Sequence, residues 1–542
     1  MSTVFRRSFV SAIATLGLCL GIGDQAALAQ SVRSGPLRLS ASSQAAATPA
    51  QVRRLTVEEA GRLALENNLG IQIARFDPLV QDLSIAQART GWFPSFTNTF
   101  QTTSTDSPNN SFLAGAQGRA TSNDRFVNSA GIQQNLRRGG NFSLGWDASR
   151  LSTNNSFSTF SPQLQSSLAF SISQPLLRNF SIDSLRQQLE VSLKNREISD
   201  VQLRQTLATT MRSVRNAYWN LAYAAASLLV QQQSADLARE SLRNTRARVE
   251  IGTTPPIDIV EAEAEVALRE EAVILAEAQI ATAEDALRTL VYDPKMPDFW
   301  TIRIEASDLP PFQPTPVDVD AAIRNALERR TDVQQARKSL DVSNVNIKFF
   351  RNQALPNVTA DFDYGLSGLG GTQLQRGLGP FGPGTGDVLG RAQRGFGSVL
   401  GDIFKNDFPN WTASLNITYP IGATPADASL ARAQLQHNQS LTQLRNQELQ
   451  VTTQVREQGR QVLTNQKRVE TTRTSRALNE RRLEAEQRKL AAGTSTTFLV
   501  FQAQRDLAQA RNNELRAILD FNQSVVDLET VQEVPLGGVP AR

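Results

Sequence analysis

Thiols and imidazoles are almost missing from this chain of 542 residues, which carries one cysteine and one histidine. One cysteine cannot close a disulfide within the chain, and one histidine leaves zinc coordination and Ser-His catalysis without their usual donors. Charge of one sign is also scarce. Lys and Arg number 56 against 52 Asp and Glu, a balance of +4 that is too dilute over this length for a nucleic-acid surface. Beyond the N-terminal segment there is no uninterrupted apolar run of about 18 residues, so no transmembrane helix is expected. If the chain crosses a membrane it must do so with β-strands. His437 stands in Gln/Asn-rich sequence and is expected to be exposed, and no carboxylate pair has the apolar flanks that would tune it for acid-base work. The expectation is therefore no enzyme, no metal and no cofactor.

The first residues have the pattern of an export signal: Arg6 and Arg7, an apolar stretch from Phe9 to Gly23, and Ala27-Leu28-Ala29 as a cleavage motif. Cleavage is expected between Ala29 and Gln30. Cys19 lies inside the apolar stretch after Leu16-Gly17-Leu18, where a lipoprotein signal requires a small residue immediately before the cysteine, so lipid anchoring is not expected. The low-complexity segment 30–54 is expected to be a flexible linker.

The chain is internally duplicated. Residues 55–75 align without gaps on 317–337 at an offset of 262, with nine of 21 pairs identical, including Arg62/Arg324, Glu66/Glu328 and Ala74-Arg75/Ala336-Arg337. The same offset carries Arg89 to Arg351 and Pro94 to Pro356. Chance similarity of amphipathic helices would not place a helix-ending proline in register. Two repeats follow, 55–316 and 317–531, with a tail at 532–542.

Each repeat has the same order. The spacing predicts helices over 55–90 and 318–354, alternating segments ending at Gln174-Pro175 and Tyr419-Pro420, long helices over 182–251 and 426–491, glycine turns at Gly252 and Gly493, and helices over 257–291 and 497–531. Leu207, Met211, Val214, Tyr218, Leu221, Ala225 and Leu228 step by 4 and 3, and Val455, Val462, Val469, Arg476, Leu483 and Leu490 step by seven. Such seams pack helices side by side over their whole length. A 70-residue helix is about 105 Å long, and the two shorter helices of that repeat together have nearly the same length when stacked end to end. Hairpins of about 100 Å are expected, with strands at one end and the glycine turns at the other.

Alternation near the prolines puts Phe96/Phe100, Leu168/Phe170/Ile172, Val358/Ala360/Phe362/Tyr364 and Trp411/Ala413/Leu415/Ile417/Tyr419 on one face each, between Ser, Thr, Asn and Asp. This is the apolar-out, polar-in dyad of a membrane barrel, with Trp92, Trp411 and Tyr419 as interfacial aromatics. A soluble sheet with one wet face has the same pattern, which leaves a periplasmic or surface coiled-coil scaffold as the competing reading. Phe142/Leu144/Trp146, after the hairpin turn Arg137-Arg138-Gly139-Gly140, has no counterpart in the second repeat, so each chain has four strands, or six with this hairpin. The Ser/Thr/Asn-rich 101–124 and Gly-rich 365–401 are expected to be exposed loops.

Taken together, these segments resemble the TolC-like outer-membrane channel family. The resemblance rests on the export signal, the two tandem repeats, Phe93-Pro94 and Leu355-Pro356 before strands, the strand-to-proline exits and the glycine turns. It implies a mainly α fold with a β-barrel portion: tandem long helical hairpins forming a periplasmic α-barrel, plus transmembrane strands pooled in a homotrimer, twelve if each chain gives four. It further implies a passive exit duct in outer-membrane lipid for a tripartite efflux pump or type I secretion system, docked to a periplasmic adaptor and an inner-membrane transporter. The family closes its periplasmic tip with polar links beyond each glycine turn. Carried over residue by residue, the gate aspartate falls on Asp258, with Glu261 next on that helix face and Arg248 and Arg488 as partners. The family's acidic ring falls on Leu499 and Gln502 and its linking arginine on Ser495, so those features are not expected here. The reading from residue type alone makes Glu261, Glu263 and Glu265 a solvated face and Asp258 a helix-dipole residue.

Overall fold

The computed structural model describes residues 52–109, 120–155, 157–308, 312–314, 316–379 and 382–533. The expected export signal, its Ala29/Gln30 junction, Cys19 and residues 534–542 lie outside these. In chain order the elements are β1 (Val52–Leu55), α1 (Val57–Asn67), α2 (Leu69–Thr90), β2 (Ser95–Pro108), β3 (Ala120–Asn135), β4 (Asn141–Thr153), β5 (Phe160–Pro175), α3 (Ser184–Glu250), α4 (Ile257–Val291), β6 (Arg303–Ala306), α5 (Val319–Arg329), α6 (Thr331–Gln353), β7 (Asn357–Gly379), β8 (Gly382–Arg394), α7 (Phe396–Phe404), β9 (Pro409–Thr418), α8 (Pro425–Ala491) and α9 (Thr497–Gln532).

The two long helices, α3 and α8, have 67 residues each, about 100 Å. Each begins with a side chain that satisfies orphan amide groups. Asp183 accepts from the Arg186 N–H at 2.8 Å, and Thr424 forms a capping box with Asp427 ahead of Pro425 in the first turn. Near the strands α3 packs between α2 and α6, with α6 against α8; toward the turns α3 packs between α4 and α9, with α9 against α8. Every level of the rod therefore holds four helices. The shorter ones stack end to end as expected: Asn67 and Asn68 donate to the last carbonyls of α4, at Val291 and Leu290. The Thr331 N–H and hydroxyl, at the start of α6, both donate to Glu533 beyond α9, at 2.6 Å.

Several expectations are corrected. The helices expected at 55–90 and 318–354 are each broken, at Asn68 and Arg330, where extended backbone lets the chain step sideways. Arg75 reaches back to the Leu65 carbonyl and Arg337 to the Leu327 carbonyl, the same clasp at the repeat offset of 262. The end of the expected linker is a strand, β1, paired in parallel with β6. These strands lie over the largest core, where Tyr218, Val214, Leu221, Leu287, Val291 and Ile302 are essentially inaccessible. Ala225 of the expected seam is exposed, and His437 is half-buried rather than exposed. The stretches 101–124 and 365–401, expected as loops, contain parts of β2, β3 and β7 and all of β8.

The other strands form one antiparallel meander in the order β2-β3-β4-β5-β7-β9, with β8 paired to the far part of β7. Of the two counts left open, six is the one found among the described residues, with β8 an extension above the row. Both outer strands, β2 and β9, are exposed at every residue. They are unpaired edges, and the helices that continue from them, α2 and α8, also carry exposed apolar stripes. On α2 these are Ile73, Phe76, Val80 and Leu83, and on α8 Leu435, Leu449, Leu463 and Leu478.

Candidate functional site

At the tip, both glycine turns have the same hydrogen bonding. Gly252 at φ +77° and Gly493 at φ +73° occupy the left-handed region. Their N–H groups donate to Val249 and Leu490, and the following Thr253 and Thr494 N–H groups donate to Arg248 and Lys489, both at 2.9 Å. This is the Schellman closure, which needs a residue without a Cβ at that position. No atom crowds either glycine, so it is the backbone angle that selects glycine.

Beyond the first turn, Asp258 lies in the first turn of α4 and accepts a hydrogen bond at 2.7 Å from Thr497 Oγ1, in the first turn of α9. The carboxylate thus joins the two hairpins and also meets the positive end of its own helix. Neither arginine expected beside it is its partner within one chain. Arg488 pairs with Glu484 at 3.5 Å, and Arg248 lines a cavity of about 300 Å³ with Glu240, Gln487, Thr497 and Phe501. Glu261 is exposed and forms no ion pair with a described residue.

Other ties at the tip were not read from the sequence. Glu265, expected on a solvated face, is buried and accepts twice from Arg269, at 2.6 and 2.8 Å, with Arg505 of α9 at 3.9 Å. Its signal was the Glu-to-Arg spacing of four. Arg246 meets Glu263 at 2.7 Å between α3 and α4, and Arg482 meets Asp506 at 2.8 Å between α8 and α9. Ser495, where the family's arginine falls, donates to Glu486 at 2.8 Å; Lys489 first and this hydroxyl second hold that carboxyl below the usual range.

At the opposite end, the pairing register sorts the sheet into two chemically distinct faces. One carries Phe96, Ile132, Leu144, Phe170, Tyr364 and Trp411, each on a different strand. The other carries Thr97, Ser129, Asp147, Ser167, Asp361 and Asn416 on the same six strands. On the polar face Asp361 accepts from Ser173 at 2.5 Å and Asn416 at 2.7 Å, linking three strands. On the apolar face the Trp146 indole N–H is satisfied by Ser166 at 2.8 Å. The helix α7 lies there too, so close over β7 that a Cβ on Gly368 would come within 2.2 Å of the Val399 carbonyl. Trp411 and Tyr419 are exposed in the single chain, whereas Trp92 is half-buried at the α2-β2 junction. No helix among the described residues is long and apolar enough to cross a membrane.

Comparison with known proteins agrees with this geometry. The family model described as outer membrane efflux protein matches residues 141–291 and 322–531, more than half of the chain. No curated protein matches. Among solved structures, the CmeC outer membrane channel of Campylobacter jejuni is similar at TM-score 0.62 and 13% identity, covering 88% of this chain and 85% of that one. The outer membrane protein VceC of Vibrio cholerae gives 0.59 at 14% identity, with 88% and 95% covered. The open state of the MtrE outer membrane channel of Neisseria gonorrhoeae gives 0.57 at 17% identity, with 88% of each covered.

Proposed function

This chain belongs to the outer membrane efflux protein family and is the outer-membrane channel component of an efflux system; we propose that it works as one third of a passive trimeric duct. The observation that carries this is the pair of unpaired edges. β2 with α2 and α4 forms one long side of the chain, β9 with α8 the other, and both expose apolar residues from strand to tip. A row of six strands cannot close on itself around a usable lumen, and a lone rod of four helices leaves these stripes in water. Copies set side by side bury both stripes, direct the apolar strand face to lipid and enclose the polar face around water.

In this reading residues 1–29 direct export, 55–316 and 317–531 are the two wall segments, the strands lie in the outer membrane and the helices extend into the periplasm. A periplasmic adaptor and an inner-membrane transporter, of either a tripartite pump or a type I secretion system, supply cargo and energy, and the duct itself performs no chemistry. Two measurements test it together. Purified protein should run as a heat-resistant trimer and conduct ions in a planar bilayer; a soluble monomer that never conducts would remove the proposal.

Asp258 is the proposed latch of the tip, because its bond to Thr497 crosses between hairpins that must separate if the tip opens. Asp258→Ala should raise mean conductance or antibiotic leak several-fold, and Thr497→Val should do the same. Wild-type conductance in both variants would place the latch elsewhere, with Glu265 and its arginines the next to change.

A further inference from the structure

The sheet carries information about the barrel that a four-strand chain could not. β3 and β4 are not a flap beside the wall. Their hairpin is in continuous register with β2 on one side and β5 on the other, and its lower turn is fastened at both ends. Gln134 and Asn135 donate to the Trp92 and Gly91 carbonyls at 2.9 Å, and Gln174 donates to the Arg138 carbonyl at 3.0 Å. Gly139 lies so close to the Asn179 carbonyl that a Cβ there would come within 2.2 Å of it. The hairpin also continues both faces of the sheet: Ile132, Leu144 and Trp146 extend the apolar side, Ser129, Gln133 and Asp147 the polar side.

Resting on the trimeric reading above, we propose that three copies close a barrel of eighteen strands, β2 of each chain pairing antiparallel with β9 of the next. Direction permits this closure. Six is even, so β2 runs away from the helices and β9 runs toward them, and the two free edges meet in the antiparallel sense. Size supports it as well. At about 4.8 Å between strands and a tilt near 40°, eighteen strands have a circumference of about 113 Å, against about 75 Å for twelve. The helical rod, four helices deep at each level, becomes a ring of twelve in a trimer. Spaced about 8–10 Å apart, these make a circumference of about 96–120 Å. Eighteen strands thus continue the helical tunnel without a step, giving a bore about 36 Å wide between backbones. Nothing then narrows at the membrane, and any size limit on cargo falls on the helical tip.

The test uses the full chain, whose only cysteine is Cys19 in the expected signal. Ser129→Cys and Gln133→Cys on β3 should react with a membrane-impermeant maleimide about tenfold or more faster than Ala130→Cys and Ile132→Cys, the dyad of a barrel wall. Thr99→Cys combined in turn with Thr412→Cys, Ser414→Cys and Asn416→Cys should yield interchain crosslinks for at least one pair. An electron cryo-microscopy cross-section should count eighteen strands. Heat-resistant trimers with twelve strands, or with equal labelling of both β3 sets, would overturn the eighteen-strand barrel while sparing the trimer. Loss of the trimer would overturn both.

Discussion

The two halves of the chain are alike in the order and lengths of their helices and unlike in their strands. The helices α3 and α8 are equal in length, end in the same hydrogen-bonded turn and are preceded by broken helices held by the same arginine clasp. Between those helices the first repeat has four strands and the second has β7, β8, α7 and β9. The difference reflects what each region must satisfy. A helix packed on its neighbours over about 100 Å cannot change length without losing its stacking partners. A meander accepts a hairpin at any point, provided strands are added in pairs so that the chain leaves on the side where it arrived. The duplicated architecture is therefore rigid along its helices and variable across its sheet.

Even within the helices one position departs from the symmetry, and the largest predicted effect lies there. Tyr218 of α3 corresponds to Gly459 of α8, each 34 residues before its turn glycine. Tyr218 is wholly buried; its hydroxyl donates to the Leu55 carbonyl at 3.0 Å and accepts from the Asp308 N–H at 3.0 Å, and burial pushes its pKa up to about 12. At Gly459 an added Cβ would come within 3.0 Å of Val319, so the start of α5 rests where the ring would be. Tyr218→Ala should cost about 3–5 kcal/mol locally, and Tyr218→Phe about 1–3 kcal/mol for the bonds left unmade. Gly459→Leu should cost about 1–3 kcal/mol by overpacking. Hydrogen exchange should quicken in β1, β6 and α1 for the Tyr218 variants and in α5 for the Gly459 variant. A uniform rise along the rod would show that the two repeats do not pack as separate units.

How much of this was legible in the sequence follows from the same contrast. The turn glycines, the long helices and the apolar face of the strands could be read because each is imposed by one local rule: a left-handed backbone angle, a seven-residue seam, a two-residue alternation. The break at Arg330 could not, since neither glycine nor proline marks it and no side chain caps α6; at Asn68 the side-chain cap on the Ile71 N–H and the nearby Gly70 are local signals that the amphipathic spacing masked. Parts of β2, β3 and β7 passed for loops because beyond the apolar belt both faces are wet and the alternation disappears, as at Thr102-Thr103-Ser104-Thr105. Asp258 was found by resemblance, but its partner Thr497 lies 239 residues away, a distance that no spacing rule spans. Glu265 was misjudged because residue type alone does not show which face of α4 is covered, although Arg269 four residues on, which closes over it, was in view.

A smaller effect sharpens the symmetry instead of breaking it. Gly252→Ala and Gly493→Ala each force a Cβ into the left-handed region, at about 1–2 kcal/mol. Since the two turns share their hydrogen bonds and neither is crowded, the two penalties should agree within a few tenths of a kcal/mol. Local exchange at the tip measures both. A clear inequality would mean that contacts made by one turn alone, such as Ser495 with Glu486, also set its cost.

The smallest predicted effect concerns the joint where the first repeat's α3 meets the second repeat's α6. Glu197 on α3 contacts Lys338 on α6 at 2.5 Å and Lys194 on its own helix at 3.0 Å, with Asp341 of α6 also 3.8 Å from Lys194. Lys338 first, and Lys194 after it, hold the Glu197 carboxyl below its usual range against a smaller opposing effect of burial. A carboxyl whose folded pKa is depressed stabilises the fold fully above the ordinary glutamate value, and that contribution is lost as pH falls through the depressed one. Lys338 is shifted upward by the same partner, so its contribution holds below the ordinary lysine value and fades only in strong alkali. Glu197 is 41% exposed and Lys338 35%, so solvent screening limits the pair to a few tenths to about 1 kcal/mol, less in high salt. Exchange at the α3-α6 contact, taken relative to the intrinsic amide rate at each pH, should therefore quicken in the wild type as pH falls below the ordinary glutamate value. In Glu197→Gln it should already be faster at neutral pH and change less on acidification. Matching pH profiles for the two proteins would mean that apolar packing alone holds the repeats together there, and that the charges on either side are solvated surface.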